Sequence, residues 1–212
     1  MARAVLYLLV YIFLALFPVT LAVVQLPTVG GNFLYELGRN MALAAFCILA
    51  LQPVLTARFS WVDRPVGTLN CLRFHKAMGV LALALVLLHP MSLAAGGAGP
   101  KLLTSWDVPW FVVVGKVALI ILTIHVVFAL VRSTLRFNYQ TWKNVHAVAP
   151  LLILIGAFVH SWFAGADLNI FQLQAYWIAL LILAAAALFH KRIKVGAGAA
   201  KMKGRQGRGG SL

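Results

Sequence analysis

The chain has 212 residues, 63% of them apolar and only 10% charged, with a mean hydropathy of +0.94. A soluble domain carries about a quarter charged residues, so an ordinary water-soluble globule is excluded, and the apolar content excludes a disordered chain. Two cysteines, Cys47 and Cys71, are too few for a disulfide scaffold and are expected as reduced thiols. The 18 Lys and Arg against 4 Asp and Glu give a net charge of +14, and where those charges fall decides between a nucleic-acid partner and a membrane.

A membrane-crossing helix needs roughly 20 mostly apolar residues. Six runs qualify, at residues 5–25, 40–55, 74–95, 110–131, 145–163 and 171–190. The first is read as a span and not as a cleavable signal, because it is long for a signal's apolar region and lacks a small-x-small site. Glycine and proline punctuate the breaks: Pro27-Thr28-Val29-Gly30-Gly31 after the first run, Gly96-Gly97-Ala98-Gly99-Pro100 after the third, Gly165-Ala166-Asp167 after the fifth. The expected fold is therefore all-α, a six-transmembrane-helix bundle over residues 1–190, followed by a flexible basic tail over residues 191–212.

In a six-span arrangement, Arg3, Arg58, Arg64, Arg73, Lys76, Arg132, Arg136, Lys143 and the seven basic residues from Lys191 to Arg208 all fall on one side. Arg39, Lys101 and Lys116 remain, with the acids Glu36, Asp107 and Asp167 on that opposite side. The positive-inside rule then puts both termini in the cytoplasm, with the protein multi-pass in a bacterial inner (plasma) membrane. Topology and anionic membrane lipid account for the basic set, so no nucleic-acid partner is expected.

Ionisable groups inside spans are costly and rare, and five of the six histidines lie in or at the edge of one. His75 and His89 are 14 residues apart on the third span; His146 and His160 are 14 apart on the fifth. Fourteen helical steps turn about 1,400°, which leaves both side chains within about 40° of one face and roughly 21 Å apart along the axis. The two spans run in the same direction. Side by side, they level His75 with His146 toward the cytoplasm and His89 with His160 toward the outside. Two stacked bis-histidine sites result, suited to the axial positions of two haem irons held between helices 3 and 5. Zinc fits less well, because no Cys, Asp or Glu lies near these four. The rival for any one such histidine is a buried hydrogen-bonder between helices, and His125, alone on the fourth span, is read as structural or proton-handling. His190, beside Lys191, is read as solvated at the headgroups.

Neighbouring residues fit the same picture. Gly79 lies four after His75 and Gly156 four before His160, so bare backbone on those faces would admit a flat porphyrin, with small-residue helix packing as the alternative. Arg73 and Lys143 flank the cytoplasmic histidines and suit haem propionates, although topology also demands basic residues there. Arg39, at the outer end of span two, is a candidate partner for the outer propionates or for an anionic substrate.

The stretches Ser60-Trp61-Val62-Asp63-Arg64-Pro65, Arg73-Phe74-His75-Lys76-Ala77-Met78-Gly79 and Leu87-Leu88-His89-Pro90 resemble the ferric reductase-like transmembrane domain. Trp142-Lys143-Asn144-Val145-His146 and Val159-His160-Ser161-Trp162 are similar to the second half of its signature. The family includes ferric reductases and NADPH oxidases, and the haem-binding membrane subunit of the bacterial methionine sulfoxide reductase system is related. The resemblance runs over roughly residues 5 to 190. It implies a six-helix bundle with two b-type haems whose ligand positions fall on His75, His89, His146 and His160.

The resemblance departs from the reductases after the last span, where about 22 residues follow His190 without a Gly-rich phosphate loop. The expected donor is thus a separate cytoplasmic flavoprotein carrying FAD or FMN, or quinol, unless the chain is a piece of a longer, flavin-containing protein. The expected function is a membrane cytochrome b that carries single electrons to ferric iron, oxygen or a periplasmic reductase on the outer side. Its rivals are a quinone-linked cytochrome b anchoring a periplasmic oxidoreductase and, from another class, a haem-free transporter.

Overall fold

The computed structural model describes residues 2–25, 32–132, 134 and 138–209, and of residues 2, 166 and 192–209 the backbone alone. The link Pro27-Thr28-Val29-Gly30-Gly31 and Arg136 lie outside the described residues, as do the tail side chains beyond Lys191. Among the described residues the structure is helical and contains no strand: α1 (Ala2–Gln25), α2 (Phe33–Thr56), α3 (Ser60–Val66), α4 (Thr68–Leu93), α5 (Lys101–Thr104), α6 (Trp110–Val131), α7 (Tyr139–Ala164) and α8 (Phe171–Gly209). Six of these, α1, α2, α4, α6, α7 and α8, are long and apolar enough to cross a membrane, as hydropathy predicts.

Several ends depart from the apolar runs, each for a local reason. α2 begins seven residues before Asn40 because the Asn32 side chain caps it, accepting from the Leu34 N–H at 2.9 Å, with Glu36 in the first turn. Asn138 caps α7 in the same way through the Gln140 N–H, so that helix starts at Tyr139 and takes in the polar turn before Val145. Gly67, at a φ of 86°, ends α3 and lets α4 begin at Thr68, a backbone conformation that suits glycine. Hydropathy overlooks α3 and α5 because neither is an apolar run. Beyond Leu93, α4 widens into a single π-type turn, Ala94–Ala98, before the chain turns back.

α2 is the central helix: half of its most apolar 18-residue stretch is buried (50%), against 6% of that of α4 and 11% of that of α7. It packs on α4, α8 and α1, whereas α7 packs on α6 and α4 touches α6 less closely; α4 and α7 make no comparable backbone contact with each other. Small residues on α2, among them Ala44, Ala45, Cys47 and Ala50, are buried and allow that close approach, which in lipid drives association by packing alone. The fully buried Trp177 of α8 stacks on Phe46 at 4.7 Å and donates its Nε1–H to Ser161 Oγ at 2.9 Å. Its polar atom is thereby satisfied away from water. Lys116, the one basic residue inside the fourth span, reaches the Ser105 carbonyl and the Trp106 ring, so its charge leaves the apolar zone.

A candidate site of paired histidines

α4 carries His75 and His89, α7 carries His146 and His160, and the two helices bring them together in two levels. The His75 and His146 ring centres lie 6.1 Å apart with planes at 84°; those of His89 and His160 lie 6.4 Å apart with planes at 68°. The equal 14-residue spacings thus meet across the gap between two helices that do not pack backbone to backbone.

The rings of the second level are anchored by main chain. His89 Nδ1–H donates to the Gly38 carbonyl at 2.9 Å, and His160 Nδ1–H donates to the Phe111 carbonyl at 2.8 Å. Both bonds fix the tautomer, leaving Nε2 as the nitrogen with a free lone pair, which is how ligating histidines are ordinarily oriented. Two glycines make the room. A Cβ on Gly38 would lie 3.0–3.1 Å from the α4 backbone at His89 and Leu93, and one on Gly115 would lie 2.6 Å from His160 Nδ1. Sequence reasoning missed Gly38, Phe111 and Gly115 as supports. A carbonyl leaves no mark on a side-chain pattern, and the available signal was one isolated glycine, Gly115, inside the fourth apolar run and another, Gly38, just before the second.

The first level is built differently. Nδ1 of His75 and Nδ1 of His146 are buried without a hydrogen-bond partner, although His75 lies beside the Gln52 backbone. The structure also brings in a residue read as solitary: His125 of α6 stacks on His146 at 4.9 Å with planes at 21°, and Trp142 stands 4.8 Å from His146.

The remaining candidates fall as follows. Arg39 meets anionic groups, but they belong to the protein: its guanidinium bonds Glu36 at 2.7 Å and pairs with the buried Asp167 of the α7–α8 loop. Arg73 and Lys143 are exposed. Gly79 faces open space, whereas a Cβ on Gly156 would lie 3.1 Å from that of Ala118, so Gly156 seats α7 on α6. His190, expected to be solvated, is half-buried and stacked on Phe59 at 4.6 Å, because Phe59, the residue just before α3, lies against it.

Two trans metal–imidazole bonds of about 2 Å, with roughly 1 Å from each nitrogen to its ring centre, separate ring centres by about 6 Å. Both observed separations fall there. No group of three or more His, Cys, Asp or Glu is placed for a bare metal ion among the described residues. Paired imidazoles alone suit an iron whose other four positions a macrocycle fills.

A family model described as Ferric reductase like transmembrane component matches residues 41–157. The chain belongs to that family. The match takes in most of α2, all of α4 and α6 and most of α7, and with them His75, His89, His125 and His146. No curated protein and no solved structure matches the chain. As a ferric reductase-like component with six apolar helices, it is a multi-pass membrane protein of the electron-transfer kind.

Proposed function

We propose that this ferric reductase-like component is a di-haem cytochrome b, carrying single electrons from a cytoplasmic-side donor to an outer-side acceptor. The observation that carries the reading is the pair of ring-centre separations, 6.1 and 6.4 Å, at two levels of the same two helices. Haem b, when bound, would supply one-electron chemistry, with imidazoles of the chain holding its iron. His75 with His146 would hold the inner group and His89 with His160 the outer one.

The chain's own residues supply the rest. The Gly38 and Phe111 carbonyls hold the two outer imidazoles in one tautomer and raise their basicity as ligands. The apolar spans exclude water from the levels between. Exposed Arg73 and Lys143 stand at the inner end, available to propionates, to anionic lipid or to a docking flavoprotein. Positive-inside charge supports the inward orientation of both termini and location in a bacterial inner membrane. Ferric iron, oxygen or a periplasmic reductase is the acceptor class; a flavoprotein carrying FAD or FMN, or quinol, is the donor class.

The test is a reduced-minus-oxidised absorbance spectrum of the detergent-purified chain, with haem counted per chain as the pyridine haemochrome. Two low-spin b haems per chain are expected. A single haem overturns the His75/His146 site, and a colourless protein overturns the reading in favour of a haem-free carrier.

A further inference from the structure

The helix pairs α2/α4 and α6/α7 repeat one another in register. Gly38 of α2 offers the carbonyl that His89 uses, and Phe111 of α6 offers the one that His160 uses. Fourteen residues further along α2 and α6 stand Gln52 and His125; fourteen residues back along α4 and α7 stand His75 and His146. Gln52 and His125 are thus the counterparts, at the first level, of the residues whose carbonyls anchor the second.

At that first level His75 lies beside the Gln52 backbone without closing a full hydrogen bond, and His146 has no carbonyl at its Nδ1. A side-chain ring lies against His146 instead. The His125 ring lies 4.9 Å from the His146 ring with planes at 21°, and the Trp142 ring closes the group at 4.8 Å from His146 and 5.8 Å from His125. His125 is 9% exposed, its own Nδ1 is unpartnered, and its buried neighbours Leu122 and Val126 are apolar. A ring nitrogen buried without a hydrogen bond costs free energy that an apolar residue at the same place would not. Helix packing alone does not explain it.

We propose that His125 is a positioning residue for His146, fixing the plane of that imidazole by ring stacking where His89 and His160 are fixed by main-chain hydrogen bonds. The inference rests on His146 being a haem ligand. Stacking sets the ring plane but not the tautomer, whereas a carbonyl sets both. The two sites therefore differ in how firmly their imidazoles are held, and the His75/His146 site depends on an aromatic neighbour.

The experiment compares wild type, His125→Ala and His125→Phe as full chains in detergent. Haem per chain is counted, and low-temperature electron paramagnetic resonance is recorded on the oxidised protein, where the highest g value of a low-spin haem follows the angle between its axial ring planes. His89→Ala marks which signal belongs to His75/His146. His125→Ala is expected to shift or broaden that signal and to weaken retention of that haem roughly 10- to 100-fold, as loss of an outer-shell partner does. His125→Phe, which restores a stacking ring without nitrogens, should keep both signal and occupancy. An unchanged signal and haem count in His125→Ala overturns the inference while leaving the di-haem reading intact. Equal defects in the Ala and Phe variants overturn it too, because His125 would then act through a nitrogen. A wild type without the His75/His146 signal fails the di-haem reading and this inference with it.

Discussion

The Gly38 carbonyl accepts a hydrogen bond from His89 Nδ1 at 2.9 Å, tying the first turns of α2 to the last turns of α4. The Phe111 carbonyl and His160 repeat the arrangement between α6 and α7 at 2.8 Å. A main-chain acceptor cannot be removed by substitution, so the consequences are read through the ligands and through the glycines that give the rings room.

Under the di-haem proposal, His89→Ala and His160→Ala should each remove the outer haem and leave the inner one, halving the haem count per chain in the pyridine haemochrome assay. Retention of both haems by either variant would show the pairing to be wrong.

Gly115→Ala puts a methyl group 2.6 Å from His160 Nδ1, while Gly79→Ala puts one into open space. The first should cost about 1–3 kcal/mol through overpacking and disturb the outer haem spectrum. The second meets no protein atom and should cost no stability, since alanine is the better helix former. Thermal unfolding in detergent and the reduced-minus-oxidised spectrum measure the contrast, and equal behaviour of the two variants would refute it.

Arg39 is the cation between Glu36 and the buried Asp167. Arg39→Gln leaves the Asp167 carboxylate buried without its counter-charge and should cost about 3–5 kcal/mol, whereas Asp167→Asn leaves Arg39 its bond to Glu36 and should cost less. Because the residues share one network, the double variant should be less damaged than the sum of the single ones. Circular-dichroism melting of the three variants decides this.

Trp177 fills the centre of the α2–α8 contact and donates to Ser161 Oγ. Trp177→Ala should cost about 3–5 kcal/mol through the cavity it leaves. Trp177→Phe keeps the stack on Phe46 and should cost only about 1 kcal/mol for the lost hydrogen bond. Denaturant titration of the two variants gives the ratio, and similar losses in both would mean that the hydrogen bond outweighs the packing.

Six spans, their order and the pairing of His75 with His146 and His89 with His160 were all legible in the sequence. Each depends on distance along one chain: an apolar run long enough to cross, and a 14-residue interval that helical geometry converts into a shared face. Helix ends were less legible wherever a polar residue set them, as Asn32 and Asn138 do. What the faces meet was decided by the tertiary structure. The Gly38 and Phe111 carbonyls under the second pair, the room at Gly115, the His125 ring on His146 and the Asp167 carboxylate on Arg39 all come from other helices or loops. Periodicity says which way a side chain points along its own helix; which backbone or ring stands opposite depends on how neighbouring helices pack, and a main-chain oxygen leaves no trace in a side-chain pattern.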